Sequence, residues 1–298
     1  MNVYEQVTEN IVSMLEQGDV PQWRKSWTGE PLSIPHNGVT GHQYRGINVW
    51  NLLMTAWAKH YGSSQWATYK QWQDKGGHVR KGEKSTVAVF FKPLEKIDDS
   101  GNEYMLHIAR AFHVFNKDQV DIELPSEPTQ ELTRDDIELA GISIELASSL
   151  GVSVNVDFFE GSPSYNPMLD SINMPKFSSF TDGGAYFSTM AHECSHATGH
   201  SSRLDRKFGK RFGDDAYAME ELVAELSAAY ICAKYGTGYD IEQHASYLSC
   251  WLKRLREDNK AIFTVAAAAQ RAADHISDSV ESFRLEQQQE SELGRLIA

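Results

Sequence analysis

Residues 187–200 read FSTMAHECSHATGH, and the H-E-x-x-H run from His192 to His196 decides how the C-terminal half is read. Histidines four apart share one face of a helix, roughly 5–6 Å apart at Cβ, so both imidazoles reach one metal ion. Glu193 between them is then the catalytic carboxylate and not a ligand. It takes the proton from a water whose pKa the metal lowers from 15.7 to about 7. The bland alternative is a surface helix that happens to carry two histidines and a glutamate. Phe187, Met190, Ala191 and Cys194 argue against it, because they give the helix an apolar face to bury, and Thr198-Gly199 supplies a stop.

A third protein ligand is required, and its place separates families. A continuation to H-E-x-x-H-x-x-G-x-x-H is met at Gly199 but fails at Ser202. His200 falls beyond the expected helix end. Downstream, residues 216–230 read AYAMEELVAELSAAY, a strong helix with acids at Glu220, Glu221 and Glu225. One of these completes a His/His/Glu set, which leaves a fourth tetrahedral position open, as a catalytic zinc site needs and a structural one does not. A second carboxylate can accept a hydrogen bond from a ligating imidazole. The arrangement resembles the gluzincin pattern, whose second helix carries Glu-x-x-Ala-Asp. The matching run is Glu221-Leu222-Val223-Ala224-Glu225, with Glu in place of the final Asp. That match implies Glu221 as the third ligand, Glu225 as the supporting acid and one zinc ion per chain.

The 298 residues suit one large domain or two ordinary ones, and 41% hydrophobic with 23% charged residues allows a real core. Acids interrupt the apolar positions of MNVYEQVTENIVSMLEQ, so it does not read as a signal peptide. No run approaches the roughly 20 apolar residues of a membrane span, so no membrane partner is expected. Three cysteines, Cys194, Cys232 and Cys250, fit a reducing cytoplasm better than a disulfide scaffold, and their spacing is wrong for a cysteine zinc site.

The net charge of −13 argues against nucleic acid only when averaged. Residues 20–92 hold ten Lys/Arg against three acids, a local +7, and six of the seven tryptophans fall in the first 72 residues. Trp23-Arg24-Lys25-Ser26-Trp27, Tyr44-Arg45, the Lys70 segment after Trp66, and Arg80-Lys81-Gly82-Glu83-Lys84 set aromatics and cations side by side. Aromatic faces stack on bases and cations track phosphates without reading sequence, which suits single-stranded DNA. Trp23, Arg24, Lys25, Trp27, Tyr44, Arg45, Lys70, Arg80, Lys81 and Lys84 are the candidate contacts. Trp50 and Trp57, seven apart on one helix with Leu53 and Met54 between, read as core.

Along the chain, residues 1–18 and 47–62 have helical periodicity, 65–75 reads as a short helix stopped by Gly76-Gly77, and 86–92 and 103–116 read as a hairpin turning at 98–102. The acidic, proline-bearing stretch 117–135 is the expected linker, giving domains at 1–125 and 126–298. Beyond it, 134–150 reads as helix, 152–158 and 171–174 as strands, and the chain from 183 as mostly helix. The expected class is α+β: a mixed α/β N-terminal domain that binds single-stranded DNA, then a mainly helical, zincin-like domain of gluzincin type with a small sheet.

Taken together, IVSMLEQGDVPQWRKSW, PHNGVTGHQYRGINVWNLL and GSSQWATYKQWQDKGGHVRKGEKST, then MAHECSHATGHSSRLDR with YAMEELVAELSAAY, resemble the ArdC-type antirestriction proteins of conjugative plasmids. The likeness covers nearly the whole chain. It implies a single-stranded-DNA-binding domain, of a kind also fused to conjugative primases, followed by a zincin-like metallopeptidase. It also implies protection of incoming conjugative DNA from host restriction, with a restriction enzyme or another protein as a further expected partner. Two other readings compete: a cytoplasmic regulatory zinc metalloprotease acting on a protein substrate, and a nucleic-acid module whose zinc is structural. The basic aromatic segment favours the first reading over the second. Glu193 and the open fourth position favour an enzyme, a zinc metallopeptidase, over a structural site.

Overall fold

The computed structural model describes residues 1–16, 33–97, 103–122, 135–156, 161–207, 215–237 and 248–297. The two-domain α+β expectation holds: the described residues gather into two compact units. One is mixed α/β and the other mainly helical with a small sheet. The first is built from residues 1–16, 33–122 and 252–263 as described, the second from 135–251 and 264–297. Among the described residues no helix is long and apolar enough to cross a membrane.

The first unit opens with helix α1 (Val3–Glu16), whose start is closed by reciprocal bonds between Asn2 and Glu5. Val7, Ile11, Val12 and Leu15 form its buried stripe. Thr8 Oγ1 donates to the Asn259 carbonyl (2.8 Å), Tyr4 packs edge-on against Phe263, and Glu16 pairs with Arg256, so the 252–263 segment is part of this unit's fabric. A four-stranded sheet carries the centre: β1 (His36–Asn37), β2 (Gln65–Ala67), β4 (Thr86–Ile97) and β5 (Glu103–Asn116), in the order β1-β2-β5-β4. Strand β1 runs parallel to β2 and the other pairs are antiparallel. Helix α2 (Ile47–Ala58) packs on the sheet, and Leu52, Ala56, Trp66, Ala88 and Val114 form one core cluster. A second cluster centres on Trp72, whose Nε1 donates to the Phe115 carbonyl at 3.0 Å.

The helix expected over 65–75 is divided. Residues 65–67 are strand β2, and only Tyr69–Asp74 form helix α3. Trp66 and Ala67 are fully buried and pair with Asn116 and Phe115, so sheet burial overrides helical propensity there. Thr68 then caps α3, sharing reciprocal bonds with Gln71. The start of the expected linker also folds: Val120–Asp121 is strand β6, paired with β3 (His78–Val79). The hairpin turn at 98–102 and much of the linker lie outside the described residues.

Strand β4 is the sheet's outer strand, and α2 covers its inner half. Asn48 donates from Nδ2 to the Val89 carbonyl (2.6 Å) and accepts from the Val89 amide (2.7 Å), while Asn51 Nδ2 donates to the Val87 carbonyl (2.8 Å). Two asparagine amides thus stand in for a neighbouring strand. Strand alternation sends the backbone groups of residue 93 the same way as those of Val89, and Pro93 has no N–H to offer there.

The second unit is layered on helix α4 (Asp136–Ser149), capped by Asp135, and on α5 (Gly183–Ala197) and α6 (Asp215–Tyr235). Helix α5 starts where Asp182 accepts from the Ala185 amide (2.8 Å). At that point α4 crosses so closely that a Cβ on Gly183 would sit 2.9 Å from the Asp136 Cα. The small sheet has β7 (Ser153–Asn155), β9 (Ser171–Asn173) and β8 (Ser164–Asn166) in that order. Strand β8, three residues between Pro163 and Pro167, has no apolar alternation by which sequence could find it. Helix α7 (Leu248–Glu257) falls mostly in the first unit's 252–263 segment, helix α8 (Ala261–Ile297) belongs to the second unit from Thr264 on, and the Gln/Glu-rich tail is a solvated continuation of α8.

Replacing Asn48 with Ala removes both edge bonds and leaves the Val89 groups to water. We expect a loss of about 1–3 kcal/mol, read as a lower urea midpoint at unchanged slope.

Candidate metal centre

Helices α5 and α6 pack against each other, and their polar residues meet in the seam. Helix α6 is not the amphipathic element its acids suggest: every residue from Glu221 to Tyr230 is buried. A helix buried all round is a central helix, so acids on it are inside the protein. Glu193, Glu220, Glu221 and Glu225 are all buried, beside the imidazoles of His192 and His196.

Helix α5 ends at Ala197, as the Thr198-Gly199 stop requires, and its i, i+4 spacing turns both histidines the same way. Their Nε2 atoms lie 3.1 Å apart, with the rings edge to face. Glu221 spans the pair, with Oε2 3.7 Å from His192 Nε2 and Oε1 3.5 Å from His196 Nε2. One ligand atom from each of His192, His196 and Glu221 falls within 4.8 Å of the others, the one such convergence among the described residues. His200 is not in it; its Nδ1 lies 2.8 Å from Ser202 Oγ.

The outer ring nitrogens have one carboxylate each. His192 Nδ1 faces Glu225 Oε1 at 3.7 Å, and His196 Nδ1 faces Glu220 Oε1 at 3.4 Å. A carboxylate hydrogen-bonded there, as Glu220 is to His196, holds the proton on Nδ1 and turns Nε2 toward the shared centre, while Glu225 stands 3.7 Å from His192 Nδ1, beyond hydrogen-bond distance. Glu220 is itself held: Arg206 donates to its Oε2 from Nε (3.1 Å) and to its Oε1 from a terminal nitrogen (2.7 Å). The same guanidinium donates to Thr198 Oγ1 and to the Ser195 carbonyl, both at 2.7 Å. Both Glu220 oxygens are occupied by Arg206, which leaves Glu221 as the acid between the Nε2 atoms.

Three residues back, Arg203 donates to the Ala197 and Leu150 carbonyls and pairs with Asp170, which also accepts from the Tyr165 hydroxyl (2.7 Å). The two arginines of Arg203-Leu204-Asp205-Arg206 therefore fasten the segment after α5, the first to the small sheet and the second to α6. Sequence reading passed over both. The available signal was two cations placed directly after a helix with no carboxylates of its own beyond Glu193.

The electrostatics are those of a site short of positive charge. Burial pulls the His196 pKa down, but the hydrogen bond to Glu220 and the charges of Glu221, Glu193 and Glu220 outweigh it and raise it to about 9. Burial pushes Glu220 up, yet His196 and Arg206 more than offset this and hold it below the ordinary carboxylate value. Cys194 lies between the histidines in sequence but is outside the convergent group, and burial and the Glu193 charge push its thiol pKa up. Arg206 answers Glu220, and a divalent cation between Glu221 and the imidazoles would add positive charge beside the other buried carboxylates. Two neutral imidazoles and a carboxylate are the donor set that zinc takes in catalytic sites, so the residues fit such an ion.

Of the candidate DNA contacts, Trp23, Arg24, Lys25 and Trp27 lie outside the described residues. Tyr44 is half-buried against the Leu52–Trp66 cluster, its hydroxyl donates to the Trp66 carbonyl (3.3 Å), and burial pushes its pKa up to about 12. Arg45, Lys70, Lys81 and Lys84 are exposed. Arg80 is exposed but engaged, with Glu83 (3.1 Å), Asp121 (3.7 Å) and the Asp118 carbonyl. Trp50 is buried and Trp57 half-buried edge-on against it at 6.0 Å, as a core reading requires.

Arg206→Ala leaves Glu220 buried without its main partner and should destabilise the metal-free protein by about 3–5 kcal/mol in chemical unfolding. A loss below about 1 kcal/mol would mean the pair is not structural.

Residues 1–119 match the family model described as the N-terminal domain of anti-restriction factor ArdC, and residues 145–269 match that of a zincin-like metallopeptidase. The protein y4eC of Sinorhizobium fredii (strain NBRC 101917 / NGR234) is 37% identical over 290 residues, covering 92% of this chain and 91% of that one. A DNA primase TraC of Escherichia coli is 35% identical over 292 residues, 92% of this chain but only 20% of the primase. Among solved structures, the metal-free antirestriction ArdC protein of plasmid R388 is similar at 38% identity and a TM-score of 0.75, over 95% of this chain and 99% of that one. Its Mn(II)-bound form is similar at 37% and 0.72, over 94% and 98%.

Proposed function

Because this chain belongs to the family of ArdC antirestriction proteins, we propose that it binds single-stranded DNA through its N-terminal unit and carries a metallopeptidase-type metal site in its C-terminal unit. The biological role we assign is protection of incoming conjugative DNA from host restriction. The observation that carries the reading is the convergence of His192, His196 and Glu221, with a carboxylate on each outer imidazole nitrogen.

His192, His196 and Glu221 are the ligands of one divalent cation. The donor set favours zinc, while the R388 relative was crystallised with Mn(II). When bound, the metal supplies Lewis acidity toward water and a peptide carbonyl. The rest is done by the chain. Glu225 and Glu220 orient the two rings, and Arg206 keeps Glu220 in place. Glu193, buried beside the centre, takes the proton of the attacking water and delivers it to the departing amine. A host restriction enzyme or another protein would be the substrate.

The N-terminal charge and the exposed Arg45, Lys70, Lys81 and Lys84 support single-stranded DNA as partner. The 252–263 segment belongs to the same compact unit, so the binding test requires the full chain and not a fragment ending near residue 120.

The wild-type protein should bind about one equivalent of zinc per chain in metal analysis, and His196→Ala should lose it. Full occupancy in a His192→Ala/His196→Ala double variant would remove the site from consideration. Glu193→Ala should keep the metal and lose any cleavage. Affinity for an oligo-dT strand should fall with salt at a log–log slope of about −3, as about four phosphate contacts require, with duplex bound more weakly. Equal affinity for duplex and single strand would favour the reading as a protease of protein substrates.

A further inference from the structure

The β4–β5 ribbon pairs without interruption from Thr86↔Val114 to Ile97↔Glu103, so residues opposite each other share a face and successive residues alternate. That register sorts the side chains. Phe90, Lys92, Leu94 and Lys96 of β4 lie on one face with Ile108, Arg110 and Phe112 of β5. Phe91, Pro93, Glu95 and Ile97 lie on the other with Glu103 and Ala109. The described charges follow the same division: three cations and no acid on the first face, two acids and no cation on the second.

Each face also carries a partly exposed aromatic. Phe91, 43% exposed, has its ring centre 6.5 Å from that of Phe263 and lies on the face with the acids. Phe90 is 49% exposed, lies directly opposite exposed Arg110, and has its ring 6.2 Å from that of half-buried Phe112. The face therefore runs outward from the Leu52–Trp66 core through Phe112 to Phe90, with Arg110, Lys92 and Lys96 around and beyond it. From Phe90 to Lys96 it is roughly 20 Å long at the strand rise of about 3.4 Å per residue.

We propose that this ribbon face is the surface on which single-stranded DNA lies, with an unpaired base stacked on Phe90 and phosphates on Lys92, Arg110 and Lys96. The assignment rests on the reading that the N-terminal unit binds single-stranded DNA. An exposed ring flanked by cations meets both demands of an unpaired strand, a face for the base and charge for the backbone. A purely apolar protein partner has no use for three cations on one face, and a duplex has no base face to offer Phe90. None of these residues was among the candidate contacts named from the sequence, because TVAVFFK reads first as core strand.

The test is fluorescence anisotropy of the full-length protein with labelled oligo-dT across a salt series. Phe90→Ala should weaken binding about tenfold at unchanged salt slope. Lys92→Ala/Arg110→Ala should flatten the slope by about 1.4. Ile97→Ser, on the opposite face, should bind as wild type. Wild-type binding retained in full by both ribbon variants would overturn the location while leaving the DNA reading intact. No binding by the wild type at low salt would instead overturn the DNA reading, and this one with it. Thermal melts check folding. As a measurement that needs no variant, 5-iodouracil crosslinks on the wild-type protein should map to peptides from 86–97 and 103–116. Crosslinks confined to other peptides would contradict the assignment.

Discussion

Four carboxylates buried around two imidazoles form the constraint on which the C-terminal unit depends. Water would hold each of those charges at little cost, and the seam between α5 and α6 removes it. Glu220 is answered by the fork of Arg206, which reaches it while also closing the carbonyl end of α5 through Ser195 and Thr198. Glu225 and Glu221 have imidazole nitrogens in front of them. Because α6 is buried on every side, none of these acids can turn away to solvent. Among the described residues, the one place where donors converge to receive a cation is between the two Nε2 atoms and Glu221.

Much of this was legible in sequence, for a specific reason. Two histidines at i, i+4 need only local helical geometry to meet, so His192 and His196 could be placed together from spacing alone. Choosing among Glu220, Glu221 and Glu225 was a different problem. Positions 221 and 225 lie about one turn apart on one face, and 220 precedes them by about 100° of rotation, so periodicity admits all three. What separates them is Arg206, which arrives from the segment between the helices and takes Glu220 out of contention. A tertiary contact of that kind has no periodic signature. The same limit explains β2 and β8, two three-residue strands that exist because of the neighbours they pair with.

In the N-terminal unit the limit was exposure. Composition counted tryptophans, and the fold uses most of the described ones as packing: Trp50, Trp66 and Trp72 are buried. Tyr44 is half spent in the same way, while Phe90, in a run that reads as interior strand, lies half in solvent. Hydrophobic content does not say which ring faces out. Pairing register does, because it ties each residue to one of two faces, and here it also separates cations from acids.

The treatment of strand β4 bears on crowding. A protein that coats a polymer is held at high local concentration, shoulder to shoulder with copies of itself. An uncovered strand edge under those conditions is a template on which neighbours zip into a continuous sheet, and filament growth then competes with release. Asn48 and Asn51 occupy the inner part of that edge, and Pro93 interrupts the outer part. Copies of the molecule crowded side by side would thus remain separate particles, each free to leave on its own.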